Sequence, residues 1–106
     1  MGWDVISERT SDMAVHAVLV PGGDATMQAL HSIILASPRT ELVAGSPDEG
    51  RVTYVTRSKW MGFPDYTTLQ LVENKVELWA RLRFGQADMG VNKARVEGWL
   101  AALEAR

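Results

Sequence analysis

Residues Lys75 to Phe84 alternate without a break. Val76, Leu78, Ala80, Leu82 and Phe84 are apolar; Lys75, Glu77, Trp79, Arg81 and Arg83 stand between them. Side chains of a strand point alternately to its two faces, so one face of this strand must be covered. A second apolar alternation, Asp65 to Val72, precedes it across Glu73-Asn74. A two-residue turn there fixes the register. Leu71 then faces Val76, Leu69 faces Leu78, Thr67 faces Ala80 and Asp65 faces Leu82. Two independent apolar patterns thereby agree. The register also turns Asp65 toward the covered face, where an unpaired carboxylate is expensive. On the other face Tyr66 meets Arg81, Thr68 meets Trp79 and Pro64 meets Arg83.

The rest of the chain supplies the cover. Met13 to Val20 is apolar, partly β-branched, and ends at Pro21-Gly22-Gly23, which reads as a strand and a turn. Asp24 offers a helix cap, and Met27, Leu30, Ile33 and Ile34 follow at helical spacing until Pro38. Thr40 to Gly45 and Arg51 to Ser58 read as a hairpin around Ser46-Pro47-Asp48-Glu49-Gly50. From about Val91 the chain is helical, with Val96, Trp99, Leu100 and Leu103 on one side. The order β-α-β-β-β-β-α implies an α+β two-layer sandwich: an antiparallel sheet of about five strands with two helices on one face. Residues 1–12 are polar and read as a flexible N-terminal segment ahead of a single domain, 13–106.

Composition excludes several classes. With 106 residues there is room for one core. There is no cysteine, so disulfides, thiolate catalysis and Cys-ligated metals are out. No apolar run is long enough to span a bilayer, and no secretory signal is visible. Formal charge is −2, from 11 basic and 13 acidic residues. The basic residues gather in the second half, but too sparsely for a nucleic-acid surface, so no nucleic-acid partner is expected. His16 and His31 lack metal-ligand spacing, and neither a metal nor another cofactor is expected. Gly85 and Gly90 do not form a phosphate loop.

Three stretches resemble a known family. They are Ser37-Pro38-Arg39-Thr40, Met61-Gly62-Phe63-Pro64-Asp65-Tyr66, and the segment from Ala80 to Val96. The last is similar to the pattern Ser-Arg-Ser-Arg-x-Gly-x-Ser-Asp-Leu-Gly-x-Asn-x-x-Arg-Val of the bacterial domain-of-unknown-function family 1499. Arg81, Arg83, Gly85, Asp88, Gly90, Asn92, Arg95 and Val96 match it. Ala80, Leu82 and Ala87 replace its serines, and Met89 its leucine. The resemblance covers roughly residues 25 to 105. It implies a domain identity without a reaction, and the missing serines argue against a hydroxyl nucleophile. It also implies a setting at the cell envelope; the residues by themselves give only a domain that is cytoplasmic by default.

Two groups of residues are candidates for function. Asp88, Asn92 and Arg95 are spaced i, i+4, i+7 at a helix start. They form either an anion site at the helix N-terminus or a structural network. In the structural reading, Asp88 or Asn92 caps the helix and Arg95 reaches Asp65. Tyr66, Trp79, Arg81 and Arg83 share the open sheet face, as a contact for a partner or as cross-strand packing. The loop with Trp60, Met61 and Phe63 either plugs the core or meets a partner or membrane surface. These features favour a non-enzymatic binding or interaction module. The alternatives are a small hydrolase-like enzyme using Asp65 and Asp88, and a domain that self-associates through its open face.

Overall fold

The structure, a computed structural model, describes residues 4–10, 14–57, 64–82 and 89–106. Six strands form one antiparallel sheet: β1 (Asp4–Thr10), β2 (Ala14–Pro21), β3 (Thr40–Ser46), β4 (Arg51–Arg57), β5 (Pro64–Val72) and β6 (Lys75–Leu82). Helix α1 (Asp24–Leu35) joins β2 to β3, and α2 (Met89–Glu104) follows β6. Spatial order is β1-β2-β6-β5-β4-β3, so the passage through α1 is the one crossover between distant strands. From Ala14 onward the elements run β-α-β-β-β-β-α, the expected two-layer sandwich.

One segment differs from expectation. Asp4–Thr10, read as part of a flexible tail, is an edge strand paired along β2 from Asp4↔Leu19 to Thr10↔Ala14. Its polar composition hid it, because an edge strand need not carry a continuous apolar stripe.

The β5–β6 register is the one dictated by the Glu73-Asn74 turn. Asp65 pairs with Leu82, Thr67 with Ala80, Leu69 with Leu78 and Leu71 with Val76. The core lies between this face and the helices. Val18, Val20, Val52, Leu69, Val76 and Leu78 from the sheet meet Met27, Leu30 and Ile34 of α1 and Val96, Trp99 and Leu100 of α2. Both helices thus present the apolar stripes that their spacing dictates.

At the outer edge, β3 bulges between Leu42 and Ala44. Gly45 follows at φ +77°, where a Cβ would overlap the Arg51 carbonyl oxygen. The kink is therefore built on glycine, and it limits the straight edge that β3 offers to another strand.

Candidate functional site

Along the covered face, polarity rises toward one end of the sheet. Val18, Leu78, Leu69 and Val52 form a wholly apolar row. The next row contains Ala80, Thr67 and Tyr54, and the last contains Leu82, Asp65, Thr56 and Thr40. The chain leaves β4, enters β5, leaves β6 and enters α2 at this same end. The three family-like stretches therefore converge there.

Asp65 and Arg95 meet at this end. Arg95 Nη1 donates to Asp65 Oδ2 at 2.8 Å, with the two side chains only 13% and 21% exposed for Asp65 and Arg95 respectively. The pairing was expected from two separate lines, strand register and helical spacing. Burial raises the Asp65 carboxyl above its ordinary value, and the bond and charge of Arg95 oppose that without overcoming it. Asn92 lies within α2, which begins at Met89, so it is an interior helical residue and not the cap. Asp88 lies outside the described residues.

Two further contacts tie the helices down. Trp99 Nε1 donates to Ser37 Oγ at 2.7 Å, which gives the serine of the first family-like stretch a structural partner. Tyr54, wholly buried, shares a 2.7 Å hydrogen bond with Nδ1 of His31. Burial pushes its hydroxyl up, so it stays protonated. Sequence reasoning missed Tyr54. The alternation Val52, Tyr54, Thr56 in β4 was the available signal. His16 sits opposite Ala80 in the register. Among the described residues no group of three metal-ligating side chains exists.

Among the described residues, no helix covers the other face. Register places Tyr66 opposite Arg81 and Thr68 opposite Trp79, as expected. Arg83 and the Trp60–Phe63 loop lie outside the described residues. The face is less bare than a solvated sheet: Ala17, Val55 and Thr68 are buried in it, although they take no part in the helix-side core. Tyr66, Trp79 and Arg81 are half-buried among them. Trp79 Nε1 donates to Glu77 Oε1 at 3.3 Å. Arg81 Nη2 donates to Thr68 Oγ1 at 2.7 Å, and Thr68 shares a 3.0 Å bond with Thr53. Arg81 Nε is enclosed with no acceptor among the described residues. Shallow depressions elsewhere, one beside Asn74 and Lys75 and one beside Gly45 and Arg51, include none of the candidate residues.

The fold is a six-stranded antiparallel sheet roofed on one side by two helices, with an ion pair holding the last helix and an arginine-aromatic patch on the free side. The chain belongs to the DUF1499 family of proteins of unknown function, whose profile matches residues 5–103. No curated protein and no solved structure matches it. Among the described residues, no helix is long and apolar enough to cross a membrane.

Proposed function

We propose that the protein is a non-enzymatic binding module that meets its ligand through the helix-free sheet face, at Tyr66, Trp79 and Arg81. The observation that carries this reading is Arg81. Among the described residues its guanidinium makes one hydrogen bond, to Thr68, while its Nε is desolvated and donates to nothing. An enclosed donor without an acceptor costs about 1–3 kcal/mol. Folding alone gives no reason to keep it, since an uncharged side chain of similar length would cover the same neighbours. The reason we propose is a contact of another molecule with the guanidinium beyond the enclosed Nε. The Asp65–Arg95 corner is the reverse case. It is paired within the chain and largely buried, which supports a structural role and weighs against a carboxylate site for hydrolysis. An envelope-associated setting belongs to this reading through the family resemblance alone.

The test is Arg81→Met in a urea series. Thr68 keeps its bond to Thr53, so the variant strands no hydroxyl. The expected result is an unchanged or higher stability, by up to about 1 kcal/mol, because the uncompensated donor is gone. A loss greater than about 1 kcal/mol would show that Arg81 serves the fold, and the reading falls. Sedimentation of the wild type separates the occupants: a dimer that Arg81→Met dissolves identifies a second copy, whereas a monomer leaves a foreign ligand.

A further inference from the structure

We infer that the hydrogen bond between His31 and Tyr54 is a pH-sensitive tie between α1 and the sheet. It is made while the imidazole is neutral with its proton on Nε2, and it is undone when the ring takes up a second proton. The inference stands apart from the binding reading of the helix-free face, since Tyr54 belongs to the helix-side core.

The tie follows from counting protons. Tyr54 is wholly buried in the core, and burial keeps its hydroxyl protonated. The hydroxyl oxygen is 2.7 Å from His31 Nδ1, and among the described residues it has no other partner. A phenol has one proton to donate, and a buried donor left without an acceptor is destabilising. Tyr54 therefore donates and Nδ1 accepts. A neutral imidazole that accepts at Nδ1 carries its proton on Nε2. A doubly protonated ring carries N–H at both nitrogens, so Nδ1 turns from acceptor to donor. The bond can then run only from the ring to the phenol, and the Tyr54 proton is left without an acceptor. Tyr54 neither ionises nor moves away, because it is packed in the core. His31 is half-buried on α1, so the ring is the partner that gives way.

Among the described residues no carboxylate forms an ion pair with His31. Asp24, two turns earlier, is the one other titratable group of α1. In the 3-10 turn Pro47–Glu49, Asp48 accepts from Gln28 at 3.4 Å and Glu49 is exposed. On β3, Arg39 Nε donates to the Arg57 carbonyl, and Glu41 pairs with Val55 on the helix-free face. On β4, Arg51 and Arg57 alternate with Tyr54 onto that same face. Asp65 of β5 is taken by Arg95 of α2. Glu97 and Glu104 of α2 are exposed, and Arg106 beyond it donates to the Ala29 carbonyl at 3.2 Å. The phenol thus decides what protonation costs. In the unfolded chain the ring is free of the phenol and binds its proton without that cost. Protonation therefore favours the unfolded chain, and stability falls as pH drops through the range of histidine titration, about 7 to 5.5. Leu35, one turn further along α1, and Leu42, the cross-strand partner of Tyr54, are both exposed. The loosening thus acts on a side of the molecule where apolar surface is already open.

The experiment is thermal unfolding of the wild type, of Tyr54→Phe and of His31→Asn, each at pH 7.5 and at pH 5.5. Tyr54→Phe removes the proton that needs an acceptor. His31→Asn offers the phenol an amide oxygen that does not titrate. Between the two pH values the wild-type midpoint should fall by at least about 4 °C more than that of either variant. His16 and Asp65 are present in all three proteins, so their titration cancels in the comparison. Equal falls in the three proteins overturn the inference. An extra fall that Tyr54→Phe keeps means that His31 titrates without regard to the phenol, and one that His31→Asn keeps means that another group is the sensor; either overturns it. If a variant does not fold, the ring nitrogens of the wild type decide by nuclear magnetic resonance. At pH 7.5 His31 should show a bare Nδ1 and a protonated Nε2, and a proton on Nδ1 overturns the proposal.

Discussion

Asp65 is pulled two ways, and the balance is measurable. Burial favours its neutral form while Arg95 at 2.8 Å favours the carboxylate, and burial wins. Its proton is held more tightly folded than unfolded. Asp65 therefore costs most above its folded pKa, and that cost fades as pH falls through that pKa toward the ordinary value of 3.8. Removing Arg95 takes away the opposing pull and strands the charge. Breaking a buried pair typically costs about 3–5 kcal/mol, and partial exposure here brings the expectation for Arg95→Met to about 2–3 kcal/mol at pH 7. The loss should shrink toward pH 4.5, because the stranded carboxylate then takes up a proton. Asp65→Leu combined with Arg95→Met should recover most of it. Urea series on both singles and the double, at the two pH values, check this; a pH-independent loss would mean that Arg95 acts through packing and not charge. This corner was legible in the sequence because each half had its own signal: a hairpin register for Asp65 and a helical spacing for Arg95. The want at Arg81 was not legible. A missing acceptor is a property of three-dimensional neighbours, and no residue type announces it. The His31–Tyr54 bond was hidden likewise, since it joins α1 to β4 across 23 positions with no shared motif.

Elements with strong periodicity were read within a residue or two, and the deviations have local causes. The β5–β6 turn held its register although its residues are poor for it. Glu73 sits at φ +56°, a left-handed conformation that costs an ordinary residue about 1–2 kcal/mol. The apolar pairing on either side, Leu71 with Val76 and Leu69 with Leu78, evidently outweighs that cost. Glu73→Gly should relieve the strain and return part of the gain as unfolded-chain entropy, for a net of about 0.5–1 kcal/mol. A higher urea midpoint with an unchanged slope would bear this out; a lower midpoint would mean that Glu73 makes a contact worth more than its strain. Helix α2 starts at Met89, about two residues before the apolar spacing indicated, because the spacing that marked the helix begins only at Val96 and a first turn can precede it. Conversely β3 was visible as a strand, but its bulge at Val43 and kink at Gly45 were not. Both depend on how its edge meets β4.

At the scale of the whole molecule, the sheet has an apolar end made of tight turns and a polar end made of long connections. The tight end is where Gly22 N–H bonds the Asn74 carbonyl and Leu71 N–H bonds that of Gly50. The polar end gathers the family-like stretches. Recognition, on the reading proposed above, belongs to the helix-free face, and β1 belongs to the part of the sheet that stabilises. It seals the outer edge of β2, whose Ala17 and Val18 are wholly buried. Without it, β2 would present a row of unpaired N–H and C=O groups, the template on which sheets of different molecules join. Six cross-strand pairs are lost with β1, each worth about 0.2–1 kcal/mol. A chain starting at Met13 should therefore be about 2–3 kcal/mol less stable, which on a domain of this size lowers the melting midpoint by about 4–8 °C per kcal/mol. It should also associate as its concentration rises, in sedimentation, in a manner independent of Arg81→Met. If the shortened chain melts with the full one and stays monomeric, β1 contributes nothing to the sheet. The boundary of the folded unit would then fall at Met13, as the polar composition of the first twelve residues implied.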